Sequence, residues 1–211
     1  MLMDLAALLA SHGVHTRGVI HIGAHDGAEY NCYKSMGVRN ILMFEPQPHL
    51  AQTLRDRFGA DASVVVEQLA VGEAAGVSEM HIETANGGMS SSLLKPKLHL
   101  EQYPWITFNS KIEVPVVSLD SYFADRNVGL YNVINMDIQG YELQALRGAR
   151  SVLDKLDAVY TEVNRAELYE GCGQVESIDS ILSEYGFSRK ETDWAGNTWG
   201  DALYVKSSQV L

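Results

Sequence analysis

The chain has 211 residues, enough for a sizeable core in a single domain spanning 1–211, and its composition, 46% hydrophobic and 20% charged, is that of an ordinary globular protein. A net charge of −11 argues against a nucleic-acid partner and against an anionic membrane surface, since both call for a basic face. The two cysteines, Cys32 and Cys172, form no C-x-x-C pair, so they read as reduced thiols of a cytoplasmic protein rather than as a disulfide or metal framework.

Residues 1–13, MLMDLAALLASHG, carry Leu2, Leu5 and Leu9 at helical spacing. They predict a short amphipathic helix covering the core or a partner chain, which leaves a homo-oligomer open. The segment lacks the cationic start of a secretion signal, and no apolar run approaches the roughly 20 residues of a membrane span. Residues 17–22 then read as a buried parallel strand. Gly23 and Gly27 bracket a turn where the backbone takes positive φ or meets a ligand closely. Residues 28–37 predict a helix with Gly37 as its cap, and 40–44 a second apolar strand. Glu45 stands at the carboxyl end of that strand. An acid roughly twenty residues after a glycine turn suits the hydroxyls of a ribose.

The turn also says which nucleoside. A dinucleotide turn reads G-x-G-x-x-G and faces a pyrophosphate, but here the middle glycine is missing and Asp26 adds negative charge. No phosphate-binding P-loop occurs either. A cofactor with adenine and ribose but no phosphate fits better, and S-adenosylmethionine is the common one. An NAD-dependent oxidoreductase and a non-catalytic binding module on the same fold remain alternatives.

Further along, 49–58 predict a helix, 63–71 a third strand and 77–83 another. Residues 84–105 carry little periodicity and read as a functional or flexible loop; Asn86–Leu94, NGGMSSSLL, has the glycines to move and the serines to bind. Residues 111–117 read as an edge strand because Pro115 interrupts it. A short helix starts at Leu119. Residues 131–136 form a buried strand ending at Asp137, followed by a helix over 140–148 that continues, or restarts, over 149–155. Residues 157–163 are a strand and 177–186 a helix. Two last strands, 187–191 and 202–206, have no helix between them. The fold is therefore α/β and doubly wound, a mostly parallel sheet with an antiparallel last strand. Ligands of such sheets sit at the carboxyl ends of the parallel strands. That rule gathers Gly23, Glu45, Asp137 and Glu162 on one rim, with Trp199 and Asp201 at the start of the reversed strand.

The segments VIHIGAHDGAEY (19–30), FEP (44–46), LAVGE (69–73), SSSLL (90–94), LDSY (119–122), NVINMDIQGYELQALRGA (132–149), TEVN (161–164) and WGDALYV (199–205) make nearly the whole chain resemble the FkbM-type family of S-adenosylmethionine-dependent methyltransferases. Members commonly write D-[IV]-E-G-x-E-x-x-x-L-x-G-A where this chain has Gln139 in place of the acid, and an Asp where it has His21. The resemblance implies a Rossmann-like class I methyltransferase fold with a seven-stranded sheet. It also implies methyl transfer to a hydroxyl of a sugar, glycan or natural-product acceptor.

Site residues follow. Gly23 and Gly27, with His21 and His25 on the same segment, are expected against the cofactor's amino-acid end and ribose. Glu45 is expected to accept from both ribose hydroxyls, and Leu69 and Ala70 to border the adenine. Asp137 is expected where the methyl and the acceptor meet, as the base or as the partner of the cofactor's ammonium group. Gln139, Glu162, Asn164, Trp199 and Asp201 are candidates for binding a polyol, a tryptophan face stacking on a sugar ring. His25, His81 and His99 are lesser candidates for the base, Trp194 reads as packing, and no metal cluster is apparent.

Overall fold

A computed structural model describes residues 2–207. In chain order the elements are α1 (Leu5–Ser11), β1 (Gly18–Ile22), α2 (Tyr30–Ser35), β2 (Asn40–Phe44), α3 (Pro48–Phe58), β3 (Val64–Glu67), β4 (Ala70–Val71), β5 (Gly76–Glu83), α4 (Leu98–Gln102), β6 (Phe108–Val117), α5 (Leu119–Tyr122), β7 (Val133–Met136), α6 (Glu142–Arg147), α7 (Arg150–Leu153), β8 (Ala158–Asn164), α8 (Val175–Glu184), β9 (Phe187–Ala195) and β10 (Trp199–Lys206). Seven strands form one sheet in the order β3-β2-β1-β7-β8-β10-β9, parallel except for β10. The strand order reverses between β1 and β7, so the ligand crevice of such a fold lies there.

The period of two along each strand divides the core. Ile20 and Ile22 of β1, Leu42 and Phe44 of β2, and Ile134 and Met136 of β7 pack on one face with Leu146, Val152 and Ile178. Val19, Ile41, Met43 and Val133 pack on the other face with Leu5, Leu9, Tyr33, Leu54 and Phe58. Both faces of the central strands are covered, which is why they read as unbroken apolar runs. His21 and Asn135 are the polar exceptions, adjacent in register on the face of Tyr33, whose hydroxyl accepts from Asn135 at 2.6 Å.

The N-terminal helix starts at Asp4, whose carboxylate caps Ala7 N–H at 3.0 Å. Leu5 and Leu9 are buried as expected, but Leu2 precedes the cap and is exposed. The expected strand over 63–71 is two strands. The chain leaves the main sheet after Glu67, and β4 joins β5 and β6 in a second, three-stranded sheet. Pro115 does not mark an edge, because β6 is the middle strand of that sheet. β4 meets β6 only at Val116 and Val117, so it asks no ladder bond of the proline nitrogen. The final pair runs longer than expected, and residues 98–102 of the irregular stretch are helical.

Gly27 has φ +76°, and a Cβ there would sit 2.4 Å from the Phe58 ring and 2.8 Å from Leu54. The turn is thus seated on α3. Gly27→Ala is expected to cost about 1–3 kcal/mol through strain and overpacking, read as a lower urea midpoint with an unchanged slope.

Candidate active site

The crevice at the carboxyl ends of β1, β2, β7 and β8 has two chambers. One is a slot of about 50 Å³ between the ends of β1 and β2 and the second sheet. Its walls are apolar where Leu69, Ala70, Val71, Met80, Ile138 and Tyr141 meet, and Glu45 stands at one end. The other is a cavity of about 460 Å³ bounded by His99, Tyr103, Trp105 and Trp199, with Asp26, Glu29 and Glu162 among its polar groups. Gly23, His25, Met89, Asp137 and Gln139 line both. The chambers therefore communicate across Asp137.

Glu45 is 3% exposed, and its two carboxylate oxygens each accept one backbone N–H, from Gln47 and from His25, both at 2.9 Å. Burial raises its carboxyl above the ordinary range, and those two N–H groups oppose the rise. Each oxygen keeps a lone pair for a further donor. Gly23 has φ +81° and lies so close to Asp137 that a Cβ would come within 2.0 Å of the Asp137 carbonyl oxygen. Only glycine allows β1 and β7 to converge there.

Gln139 organises the acids. Its side-chain amide donates to Asp137 at 2.6 Å and to Glu162 at 3.0 Å, and its Oε1 lies 3.0 Å from the Tyr169 hydroxyl. The backbone is left-handed at Gln139, with φ +54°, and its carbonyl accepts from Ser92 at 2.7 Å. Asp137 opens onto the crevice, yet the protein enclosing the crevice still raises its carboxyl; the Gln139 bond opposes this and the charge of Asp201 adds to it. Glu162 is 4% exposed and held well above the usual range by burial, then by the charges of Asp137 and Glu142. Glu142 accepts from the Ile138 and Gly140 N–H groups at 3.0 and 3.2 Å, and burial pushes it up to about 7.

The expected residues divide by position. His21, Gly23, His25, Glu45, Leu69, Ala70, Asp137, Gln139, Glu162 and Trp199 line the crevice. Gly27 does not, being packed on α3. Asn164 is fully buried behind Glu162 and donates to it at 3.2 Å. Asp201 lies in register with Glu162, but its carboxylate is taken by the Tyr160 hydroxyl at 2.7 Å and by Leu2 N–H at 2.5 Å. The expectation that Gly27, Asn164 and Asp201 face a ligand is therefore corrected: each supports the wall from behind. His21 is 3% exposed, packs edge-on to Tyr33 and is pushed below its ordinary value by burial. His81 pairs through its backbone with Ser92 and lies outside both chambers. Trp194 stacks under the Arg165 guanidinium at 3.5 Å.

Sequence reasoning missed Gln47, Met80 and Tyr141 in the slot, and Tyr103 and Trp105 in the cavity. Gln47 had a signal, two residues past the acid in FEPQP. The aromatic pair sat in the stretch read only as a loop. That loop is pinned by Glu83, which is 2% exposed and accepts from the N–H groups of Ala85, Asn86 and Gly88. Among the described residues, no group of three or more His, Cys, Asp or Glu is arranged to hold a metal ion, and no helix is long and apolar enough to cross a membrane.

The Glu142 carboxyl ionises near 4.5 when unfolded and near 7 when folded. Between those values the unfolded state sheds a proton that the folded state keeps, so stability falls as pH rises through this window. Glu142→Gln keeps the accepting oxygen and removes the titration. From pH 4.5 to 7.5 its stability relative to the wild type is expected to rise by on the order of 2 kcal/mol, measured by urea unfolding.

Comparison with known proteins agrees with this geometry. Residues 21–189 match the methyltransferase FkbM domain. The chain is 27% identical over 173 residues, 79% of its length and 71% of the relative's, to the 2-O-methyltransferase NoeI of Sinorhizobium fredii. Its fold is similar to that of the magnesium protoporphyrin IX methyltransferase ChlM of Synechocystis, solved with bound S-adenosylmethionine (TM-score 0.51, 11% identity, 97% of this chain and 77% of that one). It is equally similar to the N-methyltransferase NodS of Bradyrhizobium japonicum (TM-score 0.52, 10% identity, 96% and 93%). The dinucleotide alternative gives way: the chain belongs to the FkbM methyltransferase family and is an enzyme that uses S-adenosylmethionine.

Proposed function

We propose that the protein methylates a hydroxyl oxygen of a sugar, glycan or natural-product acceptor. The observation that carries this is the placement of Asp137, which lines both the slot and the cavity and so stands between the cofactor and acceptor sites of this reading. The likeness to a relative named as a 2-O-methyltransferase supports oxygen as the target.

We assign the cofactor's nucleoside to the slot, which must widen beyond its about 50 Å³ to admit it. Its apolar walls suit a purine, with Leu69 and Ala70 along one side. Glu45 holds the ribose hydroxyls with the lone pairs left over from its two backbone bonds. Gly23 leaves the backbone bare where the nucleoside's amino-acid end approaches, beside His21 and His25. When bound, the cofactor supplies an electrophilic methyl group on a sulfonium. The chain aligns the acceptor hydroxyl and removes its proton. Asp137 takes that proton. Gln139 fixes the carboxylate's orientation by donating to one of its oxygens, which leaves the other to accept. Trp199, held by its indole N–H to the Tyr103 hydroxyl at 2.9 Å, offers a face to the acceptor ring.

S-adenosylhomocysteine is expected to bind in calorimetry, and no binding at millimolar ligand would remove the reading. Glu45→Ala is expected to weaken that binding by well over tenfold, and an unchanged affinity would take Glu45 off the ribose. Asp137→Asn is expected to lower methyl transfer by about 10²-fold or more with S-adenosylhomocysteine affinity within a few fold. A large loss of affinity instead would assign Asp137 to the cofactor's ammonium group.

A further inference from the structure

We propose that the acceptor cavity admits only polyols without anionic groups, so that the substrate is a glycoside or free neutral or amino polyol, not a sugar phosphate, uronate or nucleotide-linked sugar. This rests on the reading of the larger chamber as the acceptor site.

Three observations converge. Carboxylates of Asp26, Glu29, Asp137 and Glu162 line the cavity, and no described lysine or arginine does. The lysines and arginines of the neighbouring segments already have partners. Lys95 pairs with Glu170 at 2.8 Å, Lys97 pairs with Glu167, and Arg165 stacks on Trp194, while Arg57 is paired with the cavity's own Asp26 at 3.4 Å, which leaves Glu29, Asp137 and Glu162 without a described cation. An anionic group entering here would lose water and find no countercharge, and a desolvated charge without a partner is costly.

The second observation is the mouth. Met89 and Trp105 line the cavity and are 58% and 66% exposed, and exposed Leu100 stands on the same short helix as His99. A phosphate joined to a seated sugar would leave along this apolar collar. An aglycone carbon chain or ring would instead find contact there.

The third is an unanswered polar atom in a built wall. His99 is 4% exposed, packs against Tyr103, Phe108 and Tyr169, lines the cavity, and has an Nδ1 with no hydrogen-bond partner. His21, 3% exposed and also lining it, has the same orphan nitrogen. Burial holds both rings below the ordinary histidine range, so the wall offers an anion no imidazolium. Aromatic faces, carboxylates and neutral imidazoles together are the chemistry of an uncharged or aminated sugar ring. Where that sugar comes from an activated donor, glycosyl transfer precedes methylation: the bond from C1 to the aglycone oxygen has formed, and the bond from C1 to the diphosphate has broken.

The test uses the full chain with labelled S-adenosylmethionine and a panel of hexoses and deoxyhexoses. Each is supplied as a neutral alkyl glycoside, the amino counterpart, the 1-phosphate, the uronate where one exists, and the nucleoside diphosphate sugar. The expected result is methyl transfer to neutral or amino glycosides with kcat/KM at least tenfold above every anionic form of the same sugar. Comparable or faster transfer to a phosphate, uronate or nucleotide form overturns the proposal. So does transfer to none of the panel by protein that binds S-adenosylhomocysteine in calorimetry, which would leave the cofactor reading standing. Absence of that binding would remove both. In Glu29→Gln, which takes a carboxylate out of the cavity wall, the discrimination is expected to fall at least threefold, and undiminished discrimination overturns the charge argument.

Discussion

The constraint on which the crevice depends is a contact between two backbones. Gly23, at the end of β1, lies against the carbonyl of Asp137, at the end of β7, with no room for a single carbon between them. These strands flank the point where the sheet order reverses. Because they converge, the floor of the crevice is bare main chain, and the side chains of Glu45, Asp137 and Glu162 rise around it instead of across it. A wider separation would place the slot and the cavity on different floors, and no single carboxylate would face both.

Convergence has an electrostatic cost, because it brings acids together. Asp137, Glu142 and Glu162 all sit above their ordinary range, each chiefly through desolvation; the charge of Asp137 then raises the other two, and that of Asp201 raises Asp137. The neutral amide of Gln139 is what makes the arrangement tolerable. It gives one proton to each of two carboxylates, adds no charge, and is itself held by Tyr169. An acid at that position, the usual residue in the family pattern, would have to share a proton with its neighbours to occupy the same place. Here the substitution stabilises a cluster that repulsion would otherwise open.

Much of this was legible in the chain. The apolar runs of β1, β2, β7 and β8 named themselves, because strands covered on both faces carry few polar residues. Gly23, Glu45 and Asp137 followed from one rule about strand ends. What remained hidden depended on direction and distance. Asp201 and Asn164 share the rim in sequence logic, but a tyrosine hydroxyl, an N-terminal amide and Glu162 claim them first. Gly27 carries the same positive φ as Gly23, and only the neighbouring helix reveals that it serves packing. The split of residues 63–71 between two sheets left no periodic signal, since both halves are β-rich. Tyr103 and Trp105 come from a stretch with no period at all, and they follow α4, whose start bonds to the Leu168 carbonyl while the Trp199 indole holds Tyr103.

The loop that Glu83 pins has one more implication. Gly88, Met89, Ser91, Ser92 and Leu93 line the slot, while Met89 and Ser90 belong to the wall of the cavity. Ser92 ties this segment to the carbonyl of Gln139, and Gln47 ties it to the end of β2 at Gly88. Slot lining and cavity wall are one ribbon fastened at both seams. The two chambers therefore share one boundary, and a substitution in this ribbon borders both at once.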